Sequence, residues 1–167
     1  VRMKNRSWIR LREAKAGMKD WAEGLKSVTF HNKLGSQADR VARIKDRMPH
    51  ACIGVDVITG TPGETEEEFQ RTHAFLRSIP VDYLHVFTYS ERANTTAVRM
   101  DDAVPMDVRR ERTKQLRILS NKLHRAFQER HIGTTRAVLF EAEAVDGRML
   151  GFTDNYLRVS LPYNAEV

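Results

Sequence analysis

The sequence predicts an α/β fold in which a parallel strand-helix-strand unit is followed by a long helix and a small β module. Three observations carry the prediction. The run ACIGVDVITG is short, rich in β-branched residues and almost continuously apolar, as expected of a strand covered on both faces in a parallel sheet. A Thr-x-x-Glu capping box at Thr65 and Glu68 opens a helix directly after it, and YLHVFTYS returns as a second strand. From Thr134 onward the apolar period changes from helical to alternating, interrupted by the hairpin signal Asp146-Gly147.

The elements follow in order. Residues 1–36 are basic, and Met18, Trp21, Leu25 and Val28 recur at helical spacing. Gly35 and Ser36 break that pattern before a second short helix, in which Val41, Ile44 and Met48 share a side and Pro49 marks the end. In the first strand Ile53, Val55 and Val57 face one way and Gly54, Asp56 and Ile58 the other; the second set is smaller and more polar, like the lumen face of an α/β barrel. Cys52 falls early in this strand, where a small thiol reads as buried packing. Phe69, Leu76 and Ile79 line the next helix, Glu66 to Glu68 favourably meet its dipole, and Pro80 stops it. The second strand sets Leu84 and Val86 against His85, Phe87 and Tyr89.

A right-handed crossover makes the two strands parallel and places any ligand at their C-terminal ends, around residues 59–64 and 89–94. Residues 105–132 form the long helix, opened by Pro105 and closed by Gly133, with Leu116, Leu119, Leu123 and Phe127 as its stripe. Its many Lys and Arg residues read either as a solvated outer face or as an RNA surface. The chain therefore divides into residues 1–36, 37–133 and 134–167, the last being short for an independent β domain.

Composition narrows the function. The chain has 167 residues, of which 41% are hydrophobic, enough for one domain or one plus part of another. No long apolar run or secretory leader pattern is present, so a cytoplasmic location is expected. A formal net charge of +6 favours a polyanionic partner. The single cysteine excludes an intramolecular disulfide and a site built from clustered thiolates, and the six scattered histidines lack ligand spacing, so no metal site and no catalytic residue is assigned.

Two segments, GVDVITGTPGETEEEF and HVFTYSERANTTA, resemble tRNA methylthiotransferases of the radical S-adenosylmethionine superfamily. The tail segments VLFE and GFTDNYLRV resemble the TRAM module that ends those enzymes and binds tRNA. The wording HVFTYSER with GFTDNY is most similar to the subgroup acting on threonylcarbamoyladenosine beside the anticodon. The likeness runs from about Gln37 to Asn164, with Thr61 where Phe is usual and Ala93 where Pro is usual. It implies the later part of a radical S-adenosylmethionine (β/α) barrel followed by a truncated TRAM-like β module.

The resemblance also implies site residues. Ile58, Gly60, Gly63, Glu64, Tyr89 and Ser90 would face the cofactor, and Arg92, Arg136, Arg148, Tyr156 and Arg158 the RNA. Physical reasons support the first group, because glycines admit close backbone approach and Ile58 can pack on an adenine face. An ordinary βα turn followed by a capped helix would use the same residues. In the tail, Tyr156 is available for stacking, whereas Phe152 reads more naturally as a filler of the small β core. Family members hold [4Fe–4S] clusters through cysteine triplets, and cleavage of S-adenosylmethionine at one cluster gives a 5′-deoxyadenosyl radical. With one cysteine, this chain is expected to be a partial form with unpaired sheet edges, inactive alone. A noncatalytic tRNA-binding module and an inert remnant are the alternatives.

Overall fold

The computed structural model describes residues 36–92 and 100–164. The helix expected around Met18 to Val28, and Ala93, lie outside them. The described chain is mixed α/β, in the order α1 (Gln37–Arg47), β1 (Gly54–Thr59), α2 (Glu66–Ser78), β2 (Tyr83–Thr88), α3 (Met106–Glu129), β3 (Val138–Val145), β4 (Arg148–Thr153) and β5 (Arg158–Pro162).

Local chemistry sets these boundaries. Ser36 and Thr65 each accept a bond from the amide three residues on, while the side chains of Asp39 and Glu68 accept from the cap amides. Pro105 opens α3 without a side-chain cap, since its ring already holds helical φ and has no N–H to satisfy. The α-helical span stops at Glu129, and residues 130–133 form turns, so the helix is shorter than the 105–132 expected.

Strands β1 and β2 pair in parallel, with Val55 opposite Leu84, Asp56 opposite His85 and Ile58 opposite Phe87. One face carries the core: Val41, Phe69, Leu76, Val81, Leu84, Val86, Leu116 and Leu119, with Ile53, Val55, Val57, Ile79 and Leu123 against it. The other face is open. Gly54, Asp56, Ile58, His85 and Phe87 are all exposed, which corrects the expectation of a strand covered on both sides: helices pack on one face, and no described element packs on the other. Met48 also lies exposed rather than sharing burial with Val41. Cys52 precedes β1 and is half-buried, and burial pushes its thiol pKa up.

One edge of the pair is covered. Leu84, whose backbone alternates away from β1, donates to Ser120 Oγ (2.8 Å), and that hydroxyl donates back to the Leu84 carbonyl (2.9 Å). Helix α3 thereby satisfies backbone groups that an open edge would leave free.

After α3 in the chain, three antiparallel strands form a sheet of order β3-β4-β5. Asp146 and Gly147 both take positive φ (50° and 70°), the geometry a two-residue hairpin turn needs. The single strand run expected after it is broken at residues 154–157 into β4 and β5. Asn155, 4% exposed, ties this turn back to the first region: its amide donates to the His50 carbonyl and to His131 Nε2, both at 3.0 Å. His131 Nδ1 lies 2.8 Å from the Phe127 carbonyl, so the proton sits on Nδ1 and Nε2 is free to accept. Among the described residues no helix is long and apolar enough to cross a membrane.

Candidate functional site

The parallel pairing brings the two C-terminal strand ends together. The Tyr89 amide donates to the Thr59 carbonyl (2.9 Å), so the loop after β1 and the segment after β2 start side by side. Ile58 (58% exposed) and Phe87 (53%) form an apolar pair just below them on the open face. Exposed apolar side chains arranged beside a glycine loop can take the flat face of a heterocycle.

The loop itself is held from inside. Gly60 and Gly63 take positive φ (82° and 81°), a conformation that a side chain disfavours. A Cβ on Gly60 would stand 2.5 Å from Arg109 Cγ, so helix and loop approach as closely as glycine permits. The Gly63 amide donates to the Asp102 carbonyl at 2.9 Å. Glu64 turns inward: its Oε2 accepts from the Gly60 amide (2.7 Å), the Thr59 hydroxyl (3.2 Å) and Arg112 Nη1 (2.8 Å). Of the residues expected to face a cofactor, Ile58, Gly63 and Tyr89 gather here and Ser90 lies exposed next to them. Gly60 and Glu64 do not face outward, because Gly60 is buried against Arg109 with its amide bonded to Glu64, whose carboxylate turns inward to brace the loop.

Two residues essential to this geometry escaped sequence reasoning. Arg109 and Arg112, counted with the basic face of the long helix, are each 4% exposed. Arg109 donates to the carbonyls of Val104 (2.6 Å) and Tyr89 (3.2 Å) and to Glu91 (2.5 Å), and its guanidinium lies 5.4 Å from the Tyr89 ring centroid. Its hydrogen bond holds the Glu91 carboxyl below its ordinary value of 4.5 and raises the pKa of the guanidinium. Arg112 donates to the Glu64 carbonyl (2.9 Å) and to both Glu64 and Glu66 carboxylates. The Glu66 pKa is lowered, first by the Gln70 hydrogen bond and then by Arg112. The available signal was their spacing: positions 112 and 109 lie one and two turns before Leu116 on the same stripe.

The residues expected to meet RNA do not form one cluster. Arg92 is exposed on the first region. Arg148, Phe152 and Arg158 share one face of the small sheet, because Phe152 pairs with Arg158 across β4-β5 and Arg148 lies four positions before Phe152. Phe152 is 38% exposed and Tyr156 76% exposed, with ring centroids 6.3 Å apart. That corrects the reading of Phe152 as core: Gly151, Met149 and Thr153 take the buried face instead. Arg158 lies over the Phe152 ring, 5.7 Å from its centroid. Arg148 bonds Ser160, and Arg136 is engaged with Asp154 at 3.0 and 3.2 Å.

A parallel strand pair with a glycine loop beside an open apolar face, followed by a three-stranded antiparallel module, defines a mixed α/β protein. No family model matches the chain. Curated relatives do. It is 36% identical, over 73% of its length and 28% of the relative's, to the threonylcarbamoyladenosine tRNA methylthiotransferase MtaB of Bacillus subtilis. A tRNA-2-methylthio-N(6)-dimethylallyladenosine synthase of Bacillus pumilus is 39% identical over 64% of the chain and 21% of the relative. The ribosomal protein uS12 methylthiotransferase RimO of Heliobacterium modesticaldum is 35% identical over 77% and 28%. The chain is thus a homologue of these methylthiotransferases, corresponding to the C-terminal region of a MiaB/MtaB-like radical S-adenosylmethionine enzyme. It spans about a third or less of the length of the relatives it matches.

Proposed function

We propose that this chain forms the nucleoside-facing wall and the RNA-facing end of a tRNA methylthiotransferase acting on threonylcarbamoyladenosine beside the anticodon, in the cytoplasm. The observation that carries the reading is the parallel register of β1 and β2, with the Gly60–Glu64 loop and Tyr89 above the exposed Ile58 and Phe87. In this reading the two strands belong to the later part of a radical S-adenosylmethionine barrel, and β3 to β5 to a TRAM-like module. S-adenosylmethionine, when bound, supplies a methyl group and the means of generating a carbon radical. The chain's residues supply binding: Ile58 packs on the adenine, the backbone at Gly63 approaches the ribose, and Tyr89 and Ser90 close the side.

The same residues do not fit an iron–sulfur cluster. The sequence has one cysteine, and among the described residues no group of three or more His, Cys, Asp or Glu side chains converges on one point. Cluster ligands must come from polypeptide beyond this sequence, and this chain is the partial form of the activity. On the RNA side, Arg92, Arg136, Arg148 and Arg158 meet phosphate and Tyr156 stacks on a base.

Titration with S-adenosylhomocysteine, followed at the backbone amides, tests the reading. Shifts concentrated at residues 58–64 and 87–90 are expected, and shifts confined to β3–β5 would overturn it. The lone cysteine favours a second reading, a noncatalytic tRNA-binding module, for which the same titration produces no shifts while tRNA still binds.

A further inference from the structure

Burying a guanidinium is costly unless every donor finds an acceptor, so the partners of a buried arginine reveal what it is there to hold. The bonds of Arg112 go to Glu64 and Glu66, at the turn between β1 and α2. Those of Arg109 go to Tyr89 and Glu91 after β2, and to Val104 in the segment leading into α3. The Arg109 stem also packs where a Gly60 side chain would stand. One turn of one helix therefore grips both loops and the chain that wraps beneath them, where the Asp102 carbonyl, at φ 68°, receives the Gly63 amide.

We infer that Arg109 and Arg112 are positioning residues that fix the separation of the loops at residues 59–66 and 88–92. The inference rests on the reading of those loops as a cofactor wall, and it adds what sets the width of that wall. Neither guanidinium needs to touch a ligand. Each acts through backbone carbonyls and through Glu64 or Glu91, and the planar fork of arginine fixes two directions at once, which a lysine ammonium cannot reproduce.

The experiment compares backbone hydrogen exchange in the full chain with that in Arg109→Lys, Arg112→Lys and Glu91→Gln, and measures affinity for S-adenosylhomocysteine alongside. In Arg112→Lys, peptides covering residues 59–66 should exchange roughly tenfold faster, the factor expected for losing charge-assisted bonds. In Arg109→Lys, those covering residues 88–92 should do so, with a smaller rise in Glu91→Gln, whose altered partner is partly exposed and leaves the core intact. Peptides from β3 to β5 should stay at the parent rate, which separates loop release from general destabilisation. Affinity should fall about tenfold in the lysine variants. Parent exchange rates in both loops of all three variants would overturn the inference, as would faster loops with undiminished affinity. Should an arginine variant unfold, an unchanged 88–92 segment in Glu91→Gln would overturn the part assigned to Arg109. Absence of S-adenosylhomocysteine binding by the parent chain counts against the cofactor-wall reading alone, and the exchange rates still decide the positioning.

Discussion

The region before residue 134 buries part of its positive charge, whereas the β module after it displays Arg148 and Arg158 on its surface. In the first, Arg109 and Arg112 are buried, Lys45 nearly so, and all three are tied to carboxylates and carbonyls. In the second, Arg148 and Arg158 lie on an open sheet face beside Phe152 and Tyr156, and their partners are exposed. A single net charge of +6 thus merges two populations: cations buried in the fold and cations exposed on its surface. Removing one of the first kind should cost stability, and removing one of the second should cost binding.

The largest effect is expected at Asp82. It is 1% exposed and accepts from Lys45 Nζ (2.5 Å), the Ile53 amide (2.7 Å) and Arg130 (2.5 Å). Asp82→Ala leaves the largely covered Lys45 without its carboxylate and should lower unfolding free energy by about 3 kcal/mol in urea denaturation. Asn155→Ala removes the bonds to His50 and His131 and should cost about 2 kcal/mol, with amide exchange rising first in β3 to β5. Gly60→Ala meets both an unfavourable φ and Arg109 Cγ, and should cost about 1 to 2 kcal/mol while loosening residues 59–66. At the small end, Arg148→Ala with Arg158→Ala should change stability by less than about 0.5 kcal/mol, as for exposed pairs. A stability loss at this pair as large as that at Asp82 would erase the distinction between the regions.

Acid provides a graded form of the same comparison. Because the folded-state pKa of Glu91 is depressed, its bond to Arg109 contributes fully above the ordinary glutamate value of 4.5 and is lost as pH falls through the lower folded value. Exchange at residues 88–92 should therefore quicken only below that ordinary value. Quickening near neutral pH would mean that another group holds the segment.

Much of this architecture was legible because local signals agreed: the Thr65-Glu68 capping box, the Asp146-Gly147 turn and the strand alternation all recur in the structure. What was not legible depended on neighbours. Periodicity places Arg109 and Arg112 on the apolar stripe, yet composition assigns arginine to water, and only the carboxylates of Glu64 and Glu91, 48 and 18 residues away in sequence, reverse that. Phe152 failed in the other direction, since a three-stranded sheet has one covered face and Gly151 with Met149 already occupies it. At the candidate site, the glycine loop and Tyr89 were readable from the strand ends, whereas the inward turn of Glu64 followed from Arg112, a residue no local pattern links to it.

The division of charge is tested most directly by the salt dependence of anticodon stem-loop tRNA binding in the parent chain and in the Arg148→Ala, Arg158→Ala double variant. Binding should weaken with salt, and the slope of log affinity against log salt should fall by roughly two in the variant, about one for each phosphate no longer neutralised. An unchanged slope, or no binding by the parent chain at low salt, would contradict it.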